Sequence, residues 1–159
     1  MPVEARYKKG ILMHRLFLAL NTLVFGLASL AVAQTTSTLE FESDGATQSL
    51  EVNVVEARIT DGVVQTDAAI INSGAGILLD LGTGPAIAVS SANATVASDL
   101  ILISQNGTMI TIIRNAAPGS RNAIELSSRT AVVLQMPAGA AHELNLSPGS
   151  SVSHEILGN

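Results

Sequence analysis

The sequence predicts a β-rich α+β domain: a mostly antiparallel sheet or a partly open barrel, with one or two short helices. Short apolar runs of strand length recur along the chain, and turn-forming Gly, Pro, Asn and Asp residues separate them. One of these turns is Asn106-Gly107, the dipeptide most typical of a tight antiparallel hairpin. Helix-like composition is confined to short segments, so helices form a minor part of the predicted fold.

The first elements predicted after the N-terminal region are two strands. Residues 39–43 and 50–57 alternate apolar and polar side chains, which favours strands that pair as a hairpin. A helix is predicted next, because Thr60 or Asp61 can cap its start and apolar residues over 63–71 follow at roughly helical spacing. The many β-branched residues of this segment oppose the helix.

The middle of the chain predicts strands alone. Residues 77–81 form an apolar run typical of a buried strand, and residues 86–90 form a further short one. Residues 99–104 are strongly apolar, and residues 108–113 follow them directly across the Asn106-Gly107 turn. This order predicts an antiparallel pair in the core of the domain.

The last part of the chain predicts a strand, a helix and a strand. Residues 115–122 are a loop, and residues 130–136 are an apolar strand. Residues 137–144 favour a short helix, which Asn145 can end in the left-handed conformation. Residues 151–157 are predicted to be the final strand.

The start of the chain has the pattern of a secretory signal peptide. Basic residues come first, then an apolar run over residues 16–30, then an Ala-x-Ala site that ends at Ala33. This order predicts cleavage between Ala33 and Gln34 and a periplasmic or secreted protein of a bacterial cell. A permanent anchor is the alternative, since residues 11–32 approach the length of a membrane span. Met13 is an alternative start.

Cleavage would leave residues 34–159, a mature chain of 126 residues. Residues 34–38 are polar and predicted to be disordered, and residues 39–159 are long enough to form one domain with its own core. The mature chain holds four arginines and no lysine against twelve carboxylates, a formal net charge of −8. Nucleic acids and anionic lipid surfaces attract clustered Lys and Arg. We therefore expect no nucleic acid as a partner, and a membrane only through an uncleaved signal.

Two missing residue types narrow the chemistry further. The chain contains no Cys, which excludes thiol catalysis and thiolate metal sites. Phe41 is the only aromatic residue after position 33, which disfavours sites that stack sugars or bases on aromatic rings. We predict no cofactor, no metal and a monomer.

The second half of the sequence resembles the DUF192 family, also called UPF0127. The family pattern has an apolar strand that opens with Asp, an Asp/Asn-Gly hairpin, an Asn-Ala-x-Pro loop, a Val-Leu-Glu-Leu-Pro-Ala-Gly segment and a Gly-Ile-x-Pro-Gly-Asp-x-Val ending. These pieces stand here in the same order, at residues 99–103, 106–107, 115–118, 133–139 and 145–152. The resemblance covers about residues 50–153 and implies a fold and an exported setting, but no reaction.

The sequence departs from the family at its most polar segments. The family's Arg-Gly-Leu-Met motif falls near residues 64–67, which do not match it. Its Trp-Met-Lys-Asn-Thr segment falls on residues 90–94, where only Asn93 is kept and the Trp and Lys are absent. A ligand site built from those groups would be largely lost in this chain.

Asn93, Asp99 and Arg114 are the predicted ligand-binding residues. Asp99 is the strongest of the three, because it opens a buried strand and matches the family Asp. Its carboxylate is predicted either to bind a ligand or to accept hydrogen bonds from nearby backbone N–H groups, as any buried carboxylate must. An enzyme would need the three side chains to converge in one cleft.

The mature chain contains two histidines, His142 and His154. They lack the spacing of a helical metal pair, and exposed polar positions are the favoured interpretation over a metal site or a general base. The sequence therefore favours a non-catalytic envelope domain that binds an unknown small molecule or envelope protein. A minimal enzyme around Asn93, Asp99 and Arg114, and a structural module that pairs through a sheet edge, are the alternatives.

Overall fold

The structure, a computed structural model, describes residues 35–43, 45–66 and 76–158. The predicted cleavage site between Ala33 and Gln34 and the leader before it lie outside these residues. The described residues form eleven strands, one short helix and one 3₁₀ turn, which confirms the predicted β-rich class. The elements are β1 Thr35–Ser43, β2 Ala46–Glu56, β3 Ile59–Thr60, β4 Val63–Gln65, β5 Gly76–Asp80, β6 Ala88–Ser90, β7 Ser98–Ser104, β8 Met109–Ala116, β9 Ile124–Glu125, β10 Thr130–Pro137, α1 Ala140–Glu143, β11 Val152–Ser153 and the 3₁₀ turn Glu155–Leu157.

Two sheets organise the domain. The main sheet has seven strands in the order β11-β1-β2-β5-β10-β7-β8 and curls into a half-barrel. Its pairs are antiparallel except for β2 and β5, which run parallel. A second sheet, with the order β3-β4-β6-β9, contains only strands of two or three residues.

Apolar side chains pack on both faces of the main sheet. On β7, Ile101 and Ile103 point into the curl, whereas Leu100 and Leu102 pack towards the second sheet. A strand buried on both faces has no polar side, which explains its nearly continuous apolar sequence. The inner core includes Leu39, Phe41, Val52, Leu78, Ile101, Ile103, Met109, Val132, Leu134 and Met136, and the outer core includes Val64, Ile77, Leu79, Val89, Leu100, Leu102 and Val133.

The helix predicted from Thr60 or Asp61 is wrong over its described part. Ile59 pairs with Val64 and Thr60 with Val63, so β3 and β4 form a hairpin with a two-residue loop. Asp61 and Gly62 have φ angles of 51° and 77°, the left-handed values that a tight hairpin turn requires. The Asp-Gly turn signal therefore overrode the helical spacing. Residues 67–71 of the predicted helix lie outside the described residues.

The Asn106-Gly107 hairpin is confirmed, and its turn is closed by a hydrogen bond from the Gly107 N–H to the Ser104 carbonyl, at 2.9 Å. Only Gly107 of the pair has a positive φ, 76°, so the turn is the type followed by a glycine bulge. The Asn106 side chain accepts hydrogen bonds from the Ser104 hydroxyl and the Thr108 N–H. These contacts fix the ends of β7 and β8.

The two termini of the domain differ from the prediction. Residues 35–38, expected to be a disordered leader, belong to β1 and pair with β2.

The helix predicted over residues 137–144 is shorter in the structure, Ala140–Glu143, and Asn145 follows it with a φ angle of 55°, as predicted. The strand over 151–157 is reduced to Val152–Ser153, because a 3₁₀ turn begins directly after it. No pattern in the sequence predicts β9. None of the described helices is long and apolar enough to cross a membrane.

Candidate functional site

Asp99 is fully buried at the start of β7, and its carboxylate accepts three backbone hydrogen bonds. Oδ1 accepts from the Asn115 N–H at 2.8 Å, and Oδ2 accepts from the N–H groups of Gly139 and Ala141 at 3.0 and 3.1 Å. The strand pairing explains the first contact. β8 holds one extra residue opposite Asp99, and this bulge brings the Asn115 N–H towards the carboxylate.

The other two contacts stabilise the start of α1. Gly139 is the N-cap of this helix, and no side chain of the cap residue binds the free N–H groups. Asp99, on a strand 40 residues earlier, takes that role through its Oδ2 atom. A carboxylate at a helix start satisfies donors that would otherwise be unpaired. Asp99 therefore joins β7, the end of β8 and α1 in one buried contact.

Asn93 and Arg114 have other partners. The exposed Asn93 donates through Nδ2 to the Gln65 Oε1 at 3.4 Å. Arg114, also exposed, donates to the Leu146 carbonyl at 3.1 Å. No hydrogen bond joins any two of the three predicted side chains. Their role in ligand binding stays a prediction.

The two histidines lie in different environments. His142 is exposed, as expected, but His154 is buried, so the expectation of an exposed residue is wrong for it. Its Nδ1 accepts from the Ile156 N–H at 3.3 Å, and Nε2 lies 2.7 Å from the Ser37 hydroxyl. Burial lowers the pKa of His154, and the Glu155 carboxylate partly opposes this. The ring thus caps the 3₁₀ turn and connects it to β1.

An open cleft lies at the opposite end of β7, and sequence reasoning missed it. Its volume is about 640 Å³, within the range of small-molecule sites. By comparison, a cleft beside α1 has about 330 Å³ and one between β1 and β11 has about 250 Å³. The β7–β8 turn forms one wall and the segment that leads into β10 forms the other. The lining residues are Gly82, Ser104, Gln105, Asn106, Thr108, Met109, Ile110, Ser128, Arg129, Thr130 and Ala131.

Backbone irregularities shape this cleft. The pairing of β10 with β7 shifts between Thr130 and Val132, which makes Ala131 an extra residue. The pairing of β7 with β8 shifts at Ile103, which makes Ile110 an extra residue on β8. Both extra residues line the cleft. Bulges redirect side chains and are common beside binding and active sites.

The cleft differs chemically from the rest of the acidic mature chain. Arg129 is its only charged lining residue, and no lining residue carries a carboxylate. The Thr130 Oγ1 atom is buried and has no hydrogen-bond partner among the described residues. By contrast, the Gln105 side chain is held by the Leu157 carbonyl at 3.1 Å. The cleft therefore holds unpaired donor groups beside fixed polar walls.

The fold and the two ends of β7 define a class: a small β-rich domain with a curled sheet, a buried carboxylate at one end and an open cleft at the other. A family model described as an uncharacterized ACR, DUF192, matches residues 39–154. The chain belongs to the DUF192 family, which confirms the resemblance seen in the sequence.

Solved structures are similar to this chain. A crystal structure of a putative transcription regulator from Sinorhizobium meliloti matches it with a TM-score of 0.58 and 25% identity, covering 77% of this chain and 96% of that one. A protein of unknown function from Novosphingobium aromaticivorans matches with a TM-score of 0.58 and 16% identity, covering 75% and 85%; this likeness shows the fold alone. No curated protein matches the chain.

Proposed function

We propose that the mature chain is an exported, non-catalytic domain of the cell envelope that binds a small molecule in the cleft at the end of β7. The single observation that carries the proposal is the cleft itself, with its volume of about 640 Å³ and its two bulged walls. Small-molecule sites are concave and combine apolar walls with a few polar groups that orient the ligand; here Met109, Ile110 and Ala131 supply the apolar wall.

The non-catalytic part of the proposal rests on how the ionisable groups are used. Asp99 is the one carboxylate of the predicted site, and its buried oxygens accept hydrogen bonds from three backbone N–H groups. His154 uses both ring nitrogens within the fold. A general acid or base must reach a substrate proton, and neither group is free to do so.

Export is supported by the sequence alone. The basic start, the apolar run over residues 16–30 and the Ala-x-Ala site that ends at Ala33 follow the order that signal peptidases process. We place the mature protein in the periplasm or outside a bacterial cell. One structural relative is described as a putative transcription regulator, but four arginines and no lysine against twelve carboxylates disfavour binding of the mature chain to DNA.

Export is tested by expressing the full chain with a C-terminal tag in a bacterial host. The expected protein begins at Gln34 and is released with the periplasmic fraction. Ala33→Arg replaces the small residue that the peptidase requires, so this variant should keep its leader and stay with the membrane fraction. Wild-type protein that stays in the cytosol with an intact N-terminus would contradict export.

Binding is tested by calorimetric titration of the exported protein with a panel of sugars, polyols, amino acids and organic acids. Ser128→Trp places a large ring at the exposed rim of the cleft and should abolish binding of any ligand found. Ser147→Trp is the matched control, because Ser147 is also exposed but does not line the cleft. Equal binding by both variants would place the ligand elsewhere, and no binding by any panel member would argue against a binding domain.

Pairing through a sheet edge is the second proposal, and β8 supports it. β8 spans eight residues at the end of the main sheet and has one strand neighbour, β7, in the described part of the chain. Open edges add strands from other chains. No apolar patch accompanies this edge, since the exposed large apolar residue of the described chain, Ile87, lies beside β6. Thr111→Lys, at an exposed edge position, should abolish any dimer seen by light scattering.

A further inference from the structure

We propose that the cleft recognises a small organic carboxylate, with Arg129 binding the carboxylate group and Thr130 donating a hydrogen bond to it. This inference rests on the proposed function and names its ligand class. Arginine binds carboxylates through two parallel N–H groups, which gives both charge and geometric selectivity.

Arg129 is the first support. Arg129 is exposed, and the hydrogen bond that it makes within the described ranges runs from its backbone N–H to the Ser127 hydroxyl, so its guanidinium is unpaired there although the mature chain carries twelve carboxylates. Arg114, in contrast, is held by the Leu146 carbonyl. An arginine left unpaired in an acidic domain, on the wall of a cleft without carboxylates, makes that cleft a local site for an anion.

Thr130 is the second and independent support. Its Oγ1 is buried and makes no hydrogen bond to the described protein. Buried hydroxyls without a partner are uncommon in folded proteins, and Ser43, Thr66 and Ser98 also carry one in the described chain. Thr130 differs from these three because it lines the cleft. Thr130 neighbours Arg129 in the chain and lines the same cleft. The hydroxyl has an unused donor next to the arginine, and a change of its χ1 rotamer would turn that donor towards an anion bound there.

The remaining walls define the body of the ligand. Met109, Ile110 and Ala131 are apolar and line the same cleft. Ile110 and Ala131 are the extra residues of the two bulges, so the irregular backbone places apolar surface beside the cation. A carboxylate with a short apolar chain complements this combination better than inorganic phosphate or a sugar.

The test compares three probes with the same apolar chain: hexanoate, hexanol and hexylamine. The exported protein, labelled with ¹⁵N, is titrated with each probe at millimolar concentrations and followed by NMR. Hexanoate should shift the amide signals of residues 104–110 and 128–131, hexanol should do so more weakly, and hexylamine should not bind. Arg129→Gln should weaken hexanoate binding by about tenfold, the effect of losing one charged contact of this kind.

Arg121→Gln is the matched control, because Arg121 is an exposed arginine outside the cleft and its loss changes the net charge equally. Hexanoate binding should be unchanged in this variant. Equal affinity for hexanoate and hexanol, or equal loss in both arginine variants, would overturn the carboxylate assignment and leave the binding domain intact. If no probe shifts the cleft signals, the carboxylate assignment also fails, and the wider ligand panel decides the proposed function separately.

Discussion

The two ends of β7 use their polar groups in opposite ways. At the first end, the Asp99 carboxylate is fully buried and accepts three backbone N–H groups from β8 and α1. At the other end, Ser104 lies on the wall of an open cleft where the Thr130 hydroxyl has no partner among the described residues. A fully paired carboxylate stabilises a fold, whereas an unpaired group on a cleft wall can serve a ligand. The buried Ser98 hydroxyl beside Asp99 also has no partner among the described residues, so the contrast holds for the Asp99 carboxylate and the cleft, not for every polar group at the two ends.

The largest expected effect comes from the Asp99 end. Asp99→Asn removes the charge and turns an amide NH₂ towards backbone N–H donors, so at least one buried donor loses its partner. We expect a loss of about 3 kcal/mol in the free energy of unfolding, typical of a buried charged hydrogen-bond centre. Urea denaturation of the exported protein measures it.

Asp80→Asn is the control for this substitution. Asp80 also accepts a backbone hydrogen bond, from the Gly82 N–H at 2.8 Å, but it lies at a partly exposed position. Its substitution should cost less than about 1 kcal/mol, because water can replace the lost contact. Similar small losses in both variants would contradict a stabilising role for Asp99 and would favour ligand binding by its carboxylate.

A second prediction separates the contribution of the backbone at the start of α1 to stability from the contribution of the Asp99 carboxylate. Gly139 has φ 91°, and a Cβ added there would meet open space. Gly139→Ala should therefore destabilise the protein only through backbone strain, by about 1 kcal/mol. Gly139→Asn should cost less, because asparagine tolerates left-handed backbone better than alanine does. Equal melting temperatures for the wild type and both variants would show that the strain is relieved by movement of α1.

The two ends of β7 also show which features of the fold can be predicted from the sequence. The β7–β8 hairpin was predictable because its apolar runs and its Asn-Gly turn are local signals. The importance of Asp99 was predictable because a carboxylate that opens a buried strand must have partners. Its partners were not, since Asn115, Gly139 and Ala141 meet it only through the pairing of β7 with β8 and β10.

The cleft was not predictable for a related reason. It arises from shifts in strand pairing at Ala131 and Ile110, and register is a property of two strands together. The Asp61-Gly62 turn is a different case, because the Asp-Gly dipeptide and the helical spacing around it predict different structures, and the dipeptide prevails. His154 departs from the sequence expectation because a polar residue near the end of a chain is usually exposed, whereas here β1 contacts it through Ser37.

The third prediction concerns the pH dependence of stability and tests His154. Burial lowers the pKa of His154 in the folded state, so the unfolded chain takes up a proton first as the pH falls below the ordinary histidine value of about 6.5. The stabilising contribution is complete above that pH and declines below it. We expect His154→Gln to make the free energy of unfolding less dependent on pH between about 7 and 5. The control is His142→Gln at an exposed position, which should leave the dependence as in the wild type.

The smallest expected change in the free energy of unfolding comes from a substitution of Thr130 at the cleft. It contrasts most clearly with the loss expected for Asp99→Asn. Thr130→Val keeps the shape of the side chain and removes a buried hydroxyl that has no partner among the described residues. The free energy of unfolding should stay the same or rise by up to about 1 kcal/mol, because no protein hydrogen bond is lost and a desolvated polar group is removed. Thr111→Val, at an exposed position on β8, is the isosteric control. Any ligand of the cleft should bind more weakly to Thr130→Val and equally well to Thr111→Val. A loss of stability in Thr130→Val as large as that in Asp99→Asn would mean that the hydroxyl serves the fold, and the difference between the two ends of β7 would disappear.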